Sequence, residues 1–334
     1  MRQRALYSCA MILIALVCNC SKSKSGGSES ESKAPATAGS AEPAPSAGGA
    51  TKLSVAAIAI VDVAPLYLAM SKGFFKEQNL DITIANVRGG AEAVPGVTSG
   101  QFQFAFANVI SLLLATSKGL PLKAVAAGNF STGKPEDFGG IVVPKDSPIK
   151  TMKDLEGKTI SVNQINNIGG VTVRAAMRKA GGDPTKLKFI EVPFPEMPAA
   201  LGQARVDAAW IVEPFLTVAR NQGAVILDWN FADTGPQIQI SAYFTTKEYA
   251  TKNPDVVQRF AAAINKGLSY AAEHPDEARA ILLTYTKIEK PIADKLNLPL
   301  WAPQMNPDSI KLLADLMVQD KMVETKPDVD ALLQ

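Results

Sequence analysis

Glu156-Gly-Lys-Thr-Ile-Ser-Val-Asn-Gln-Ile-Asn-Asn-Ile-Gly-Gly-Val-Thr-Val-Arg-Ala-Ala-Met-Arg-Lys-Ala-Gly-Gly-Asp183 reads as strand, loop and helix. Thr159 to Val162 are β-prone. Asn163 to Gly170 are polar and end in glycine. From Val171 apolar residues recur at helical spacing, through Val173, Met177 and Ala180, until Gly181-Gly182 stops the helix. Such a loop leaves backbone N–H groups at the helix start, a place for an anionic or strongly polar ligand. The loop has no Walker lysine and no GxGxxG, so a nucleotide site is a poor reading.

The same alternation runs outward from this stretch. Before it come strands at Leu53–Ile60, Leu80–Val87, Phe102–Ala107 and Leu122–Ala127, with helices after Pro65, Gly89-Gly90 and Asn108. After it come strands at Leu187–Val192 and Arg205–Val212, with a helix over Glu196–Gln203 between them. Strands taking turns with helices imply mostly parallel sheets covered on both faces, with ligands held beyond the strands' carboxyl ends. Ser99-Gly100-Gln101-Phe102 and Gln203-Ala204-Arg205-Val206 join helix to strand at matching places, so the halves read as two α/β lobes. Asp137–Pro144 and Gln237–Thr246 read as two crossings between the lobes. The C-terminal part reads as helices entered at Asn253-Pro254, His274-Pro275 and Asn306-Pro307, each a cap followed by proline. His274 is then a surface helix-entry residue.

The first fifty residues fix the expected compartment. Arg2 and Arg4 precede the apolar run Ala5–Val17, too short to span a bilayer, so residues 1–20 are expected to be a secretory signal. Leu16-Val17-Cys18-Asn19-Cys20 resembles a bacterial lipobox; Asn19 departs from the usual small residue and Cys18 is a rival position, but Cys20 is the expected lipid acceptor because the tether begins at once behind it. Residues 21–50 are rich in Ser, Gly, Pro and Ala and are expected to form a disordered tether. A flexible chain of that length reaches roughly 30 Å. The 34 basic and 32 acidic residues of the whole chain nearly balance, and two of the basic ones are Arg2 and Arg4, which gives no electrostatic case for nucleic acid. The three cysteines, Cys9, Cys18 and Cys20, all lie in the leader, and His274 is the single histidine. That speaks against an enzyme, a metal site or a cofactor, and none is expected.

Four segments carry a family resemblance: Pro65–Leu80, Gly89-Gly90 through Gly100-Gln101, Lys145–Lys158, and Asp207-Ala-Ala-Trp-Ile-Val-Glu-Pro-Phe215. Together, over about Lys52 to Met322, the chain resembles type 2 periplasmic solute-binding proteins of ABC importers, in the branch for nitrate, taurine, sulfonates and thiamine-precursor pyrimidines. The resemblance implies an α/β fold of two Rossmann-like lobes joined by two crossing strands, with C-terminal helices. Lobe 1 is expected over 51–138 and 243–334, and lobe 2 over 139–242. It also implies a monomeric, extracytoplasmic receptor, lipid-anchored at the periplasm or cell surface, that delivers a small solute to a permease and its ATPase. A sensory role for a signalling partner stays open. A pyrimidine synthase of the same branch uses a cysteine-rich motif and a histidine, whereas this chain has no cysteine beyond Cys20 and one poorly placed histidine.

The positions that the resemblance assigns to the cleft are Val61, Asp62, Arg88, Gly89, Asn108, Gln164, Asn166, Asn167, Gly169, Gly170, Phe194, Trp210 and Glu213. Each has a plainer alternative in the residues themselves. Asp62 can cap the Pro65 helix, Arg88 can be a solvated loop charge, Trp210 can be core, and Glu213 can cap the helix after Pro214. Arg174 is expected to face solvent, and Phe102, Phe104 and Phe106 to face the core. Helix starts and Arg88 favour an anion such as a sulfonate. Asp62 and Glu213 favour a hydrogen-bond-donating group such as an aminopyrimidine. The balance leans to the anion, because backbone donors do not depend on a rotamer.

Overall fold

A computed structural model describes residues 49–334. The expected leader, Cys20 and nearly all of the expected tether lie outside the described residues. Ten strands run in chain order: β1 Thr51–Ala57, β2 Leu80–Asn86, β3 Phe104–Asn108, β4 Leu122–Ala127, β5 Gly139–Pro144, β6 Thr159–Val162, β7 Lys188–Glu191, β8 Ala208–Val212, β9 Ala224–Asp228 and β10 Ser241–Thr246. They form two five-stranded sheets, ordered β2-β1-β3-β10-β4 and β7-β6-β8-β5-β9. In the first sheet β1 is parallel to β2 and β3, and β10 is antiparallel to β3 and β4. In the second, β6 is parallel to β7 and β8, and β5 is antiparallel to β8 and β9. The two orders match strand for strand, with one reversed strand in the fourth place of each. The α/β fold of two mixed sheets with surrounding helices agrees with the sequence reading.

Within the two stretches expected to cross, Gly139–Pro144 and Ser241–Thr246 are also full members of the sheets. The segments around Asn129 and Ile240, ahead of these strands, pair with each other. The Gly128 N–H donates to the Ser241 carbonyl, the Ile240 N–H to that of Asn129 and the Ser131 N–H to that of Ile238, each at 2.9 Å. β9 was not foreseen, because Ala224–Asp228 follows its helix without an alternating pattern. Its exposed Val225 shows it at a sheet edge.

Packing explains the glycine and aromatic choices of the C-terminal half. Helix Pro254–Glu273 lies against helix Ala64–Ser71, and a Cβ on Gly267 would sit 2.5 Å from the Pro65 carbonyl oxygen. Only a glycine permits that approach. Phe104 stacks on Phe260 of the same helix, centroids 3.9 Å apart, as a core-facing residue should. Among the three predicted caps, only the Asn306 side chain accepts from its helix, from the Ser309 N–H at 3.1 Å. Asn253 instead donates to the Tyr249 carbonyl, and His274 is exposed with no side-chain cap.

Helix Pro307–Gln319 contacts helices on both lobes, Val109–Ser117 and Ile168–Lys179. At its end the fully buried Asp320 carboxylate accepts from Arg174 Nε at 2.6 Å and from Arg178. Arg174 therefore does not face solvent. Burying a carboxylate demands such pairing, and the pair ties the second lobe to the C-terminal segment.

Candidate functional site

The carboxyl ends of the two sheets face each other across a cavity. It holds about 430 Å³ of free space, mouth included. The first lobe supplies Ile58, Ile60 and Asp62 after β1, Gly89 and Gly90 after β2, and Phe106 to Asn108 at the end of β3. The second supplies Asn163, Asn167 and Ile168 after β6, Phe194 after β7, Trp210 and Val212 on β8, and Phe231. Ile240 and Ser241 form the floor beside the paired crossings. Four aromatic rings thus line a mostly apolar space holding few polar groups.

Three of those polar groups end in atoms that are buried with no hydrogen-bond partner: Asp62 Oδ2, Asn163 Oδ1 and Trp210 Nε1. Buried polar atoms are normally satisfied, so unpartnered ones on a cavity wall are poised for a guest. Asp62 is 3% exposed, and burial pushes its carboxyl up to about 7. Its own backbone and the neighbouring Asn129 amide oppose that rise only in part, and Asp137 adds to it. The Trp301 indole N–H donates to the Asp62 carbonyl at 3.3 Å, and the Tyr285 hydroxyl to that of Ile60 at 3.0 Å, so the backbone carrying the carboxyl is braced.

Trp210 owes its place to a glycine. A Cβ on Gly169 would come within 2.7 Å of the indole Cδ2 and Cζ3, so the start of helix Ile168–Lys179 can lie against the ring only without a side chain there. Phe194 packs against the same indole at 5.5 Å between centroids, and Phe231 edge-on at 5.8 Å. The loop after β6 also reaches the opposite lobe. Asn163 Nδ2 donates to the Arg88 carbonyl at 3.4 Å, and Gln164 Oε1 accepts from the Ala91 N–H at 3.2 Å.

Of the expected site residues, Asp62, Gly89, Asn108, Asn167, Phe194 and Trp210 line this cavity. Asn108 and Asn167 also cap their own helices, accepting from Ser111 N–H and Ile168 N–H. Gly169 acts one layer back, through Trp210. Gln164 sits at the lip, in the contact with Ala91.

The others are elsewhere. Arg88 points outward, its side chain 75% exposed and paired with Glu92. Asn166 is exposed in the outer part of its loop, with φ at 57°. Gly170 faces Arg174, whose Nη1 would be 3.4 Å from a Cβ there. Val61 is fully buried, and its N–H donates to the Glu213 carbonyl at 3.1 Å.

The Glu213 side chain is a structural cap. It accepts from the Thr217 N–H at 2.9 Å, the Thr217 hydroxyl at 2.7 Å and the Asn297 N–H at 3.2 Å, while burial pushes its carboxyl up to about 7. Phe106 corrects the reading of its strand, since it lines the cavity where Phe104 fills the core. Ile58, Asn163, Phe231 and Ser241 were missed. Asn163 could have been found as the first residue beyond β6, the place that Asn108 holds at the end of β3. Phe231 lies on a short helix that no pattern announces.

Comparison with known proteins identifies relatives and a shared fold. A curated formylaminopyrimidine-binding protein from Halalkalibacterium halodurans is 26% identical over 257 residues, covering 75% of this chain and 73% of that protein. A yeast 4-amino-5-hydroxymethyl-2-methylpyrimidine phosphate synthase, THI13 of Saccharomyces cerevisiae, is 24% identical over 227 residues, covering 64% of each chain. Among solved structures, the alkanesulfonate-binding protein SsuA from Xanthomonas axonopodis pv. citri superposes with a TM-score of 0.73 at 19% identity, covering 86% of this chain and 99% of that one. The family described as NMT1/THI5 like matches residues 60–278, and the chain belongs to it.

Proposed function

We propose that this protein is the extracytoplasmic solute-binding component of an ABC importer, and that its solute is a small planar heterocycle carrying an amino group, such as an aminopyrimidine. One observation carries the choice. The cavity places a deeply buried carboxyl with one unpartnered oxygen among four aromatic rings, and among the described residues no lysine or arginine lines it. A carboxyl group recognises an amino group and its neighbouring ring nitrogen through paired hydrogen bonds, while the rings stack on the heterocycle's faces. A sulfonate would meet no cation and would lie beside Asp62. The lean to an anion rested on backbone donors at helix starts, and those of Ser111, Ile168 and Ala91 are taken by the side chains of Asn108, Asn167 and Gln164, while Arg88, the other cue, points away. The formylaminopyrimidine-binding relative supports the same solute class.

Capture follows from the two-lobed wall. A solute touching both lobes stabilises the closed form, because its contacts are complete only there. The bodies that move are lobe 1, over 51–138 and 243–334, and lobe 2, over 139–242. One chain supplies both walls, so the monomer is the acting unit. The synthase reading is disfavoured, since no cysteine follows Cys20 and His274 lies outside the cavity.

Thermal-shift measurements with 4-amino-5-hydroxymethyl-2-methylpyrimidine, formylaminopyrimidine, ethanesulfonate and nitrate test the solute class. At about 100 times its dissociation constant a true solute adds roughly 2.7 kcal/mol of stability. A larger shift with ethanesulfonate or nitrate than with either pyrimidine would refute the heterocycle reading.

Cys20 is proposed to carry the lipid anchor, with residues 21–50 as the tether, on the strength of Leu16-Val17-Cys18-Asn19-Cys20. Labelled fatty acid should enter the wild type and not Cys20→Ala, which should appear in the soluble fraction. Equal labelling of both rules Cys20 out.

A further inference from the structure

The cleft carries a cross-lobe contact that the capture model does not use. Helix Gly90–Thr98 begins beside the cavity with Gly89 at its N-cap and no side-chain cap of its own lobe. Such a start attracts anions, through its outward N–H groups and the helix dipole. Here a side chain from the other lobe reaches it. Gln164 Oε1 accepts from the Ala91 N–H at 3.2 Å and from its own neighbour Asn167 Nδ2 at 3.3 Å. Gln164 is buried, and a Cβ on Gly89 would be 2.8 Å from its Cδ, so a glycine at 89 leaves room for the amide. Asn163 adds a parallel tie, donating to the Arg88 carbonyl.

We infer that Gln164 is a cross-lobe cap and a charge filter: on closure its neutral amide oxygen satisfies the start of helix Gly90–Thr98, the position that would otherwise favour an anionic solute. The inference rests on the proposed solute-capture role and adds the residue that sets charge preference. Two consequences follow from the contact. Closure gains a hydrogen bond that no solute supplies, and an anion seeking that helix start must displace Gln164 and break the contact between lobes.

The test uses Gln164→Ala and Gln164→Glu, each with a spin-label pair on cysteines introduced at the exposed Ser99 and Glu196, one on each lobe. No cysteine beyond Cys20 interferes. Interlobe distance distributions are recorded without solute and with 4-amino-5-hydroxymethyl-2-methylpyrimidine, and calorimetry gives affinities for that compound and for ethanesulfonate. Gln164→Ala should shift the distribution toward longer distances and weaken pyrimidine binding about fivefold, the size of one lost helix cap. It should also raise the ratio of sulfonate to pyrimidine affinity at least fivefold. Gln164→Glu, which keeps a capping oxygen and adds charge, should hold the lobes together and lower that ratio. An unchanged ratio in both variants overturns the filter, and an unchanged distance distribution in Gln164→Ala overturns the cap. Because the readout is a ratio, a wild type that prefers ethanesulfonate would refute the pyrimidine reading while leaving the filter to be judged by its own variants.

Discussion

Replacing Gly169 with alanine is expected to weaken solute binding by about a hundredfold, whereas the same change at Gly170 should leave it unaltered. The two glycines are neighbours in the first turn of helix Ile168–Lys179, and both are buried. Their surroundings differ. A methyl group on Gly169 would enter the Trp210 ring, with Cδ2 and Cζ3 at 2.7 Å. The indole cannot yield backwards, because Phe194 and Phe231 pack against it. It must move into the cavity, or the helix must back away. Overpacking of this kind costs about 1–3 kcal/mol, and displacing a buried tryptophan from a binding surface costs 2 kcal/mol or more. A methyl group on Gly170 meets only Arg174, at 3.4 Å, and alanine is the better helix former by up to ~1 kcal/mol. Calorimetry with the solute identified by thermal shift, alongside urea unfolding of both variants, checks the pair. Equal affinities for Gly169→Ala and wild type would show that Trp210 does not form the solute's wall.

The second large effect concerns Asp62→Asn and reverses sign between binding and stability. Burial raises the Asp62 carboxyl from 3.8 to about 7. Between those values the folded chain holds a proton that the unfolded chain releases, so stability falls as pH rises from about 4 to about 7 and is level above. About three pKa units correspond to ~4 kcal/mol lost at pH 8 relative to pH 4. Asparagine has nearly the same shape and no charge to bury. The variant should match wild type near pH 4 and exceed it by up to about 4 kcal/mol at pH 8 in urea unfolding without solute. Glu213 is likewise raised to about 7, but it is present in both proteins, so the difference between their profiles isolates Asp62. Solute affinity should move the other way, since asparagine cannot supply a charged acceptor to an amino group, a loss of about 1.5–3 kcal/mol. A variant no more stable than wild type at pH 8 would mean that the carboxyl is solvated or paired.

The fold was legible because its signals are local and repeat. Short β-prone runs, glycine stops and prolines at helix starts occur in the same order in each half, and β2, β4 and β6 lie almost where they were expected. The site was half legible for the same reason. Positions at strand ends, such as Asp62, Asn108 and Asn167, follow from topology alone. Direction does not. Arg88 and Glu213 stand at strand ends too, yet one turns outward to Glu92 and the other inward to Thr217 and Asn297. Both have a partner four residues on, Glu92 and Thr217, so local spacing does not separate them; what differs is the Asn297 N–H that meets Glu213 from 84 residues away. Arg174 misled for the same reason, since its carboxylate partner is 146 residues distant.

β10 lies inside the first sheet, between β3 and β4, and it is the last strand of the chain. All five strands of the second sheet fall between Gly139 and Asp228. A chain that emerges from its N-terminus, from a ribosome or through a membrane pore, therefore has every strand of its second sheet in hand while the first still lacks one. Until Ser241–Thr246 arrives, β3 and β4 present facing edges with a strand-wide gap and unpaired backbone groups. The interval in which this protein is most exposed to mispairing is thus the one in which the residues from Ser241 on are still on the way.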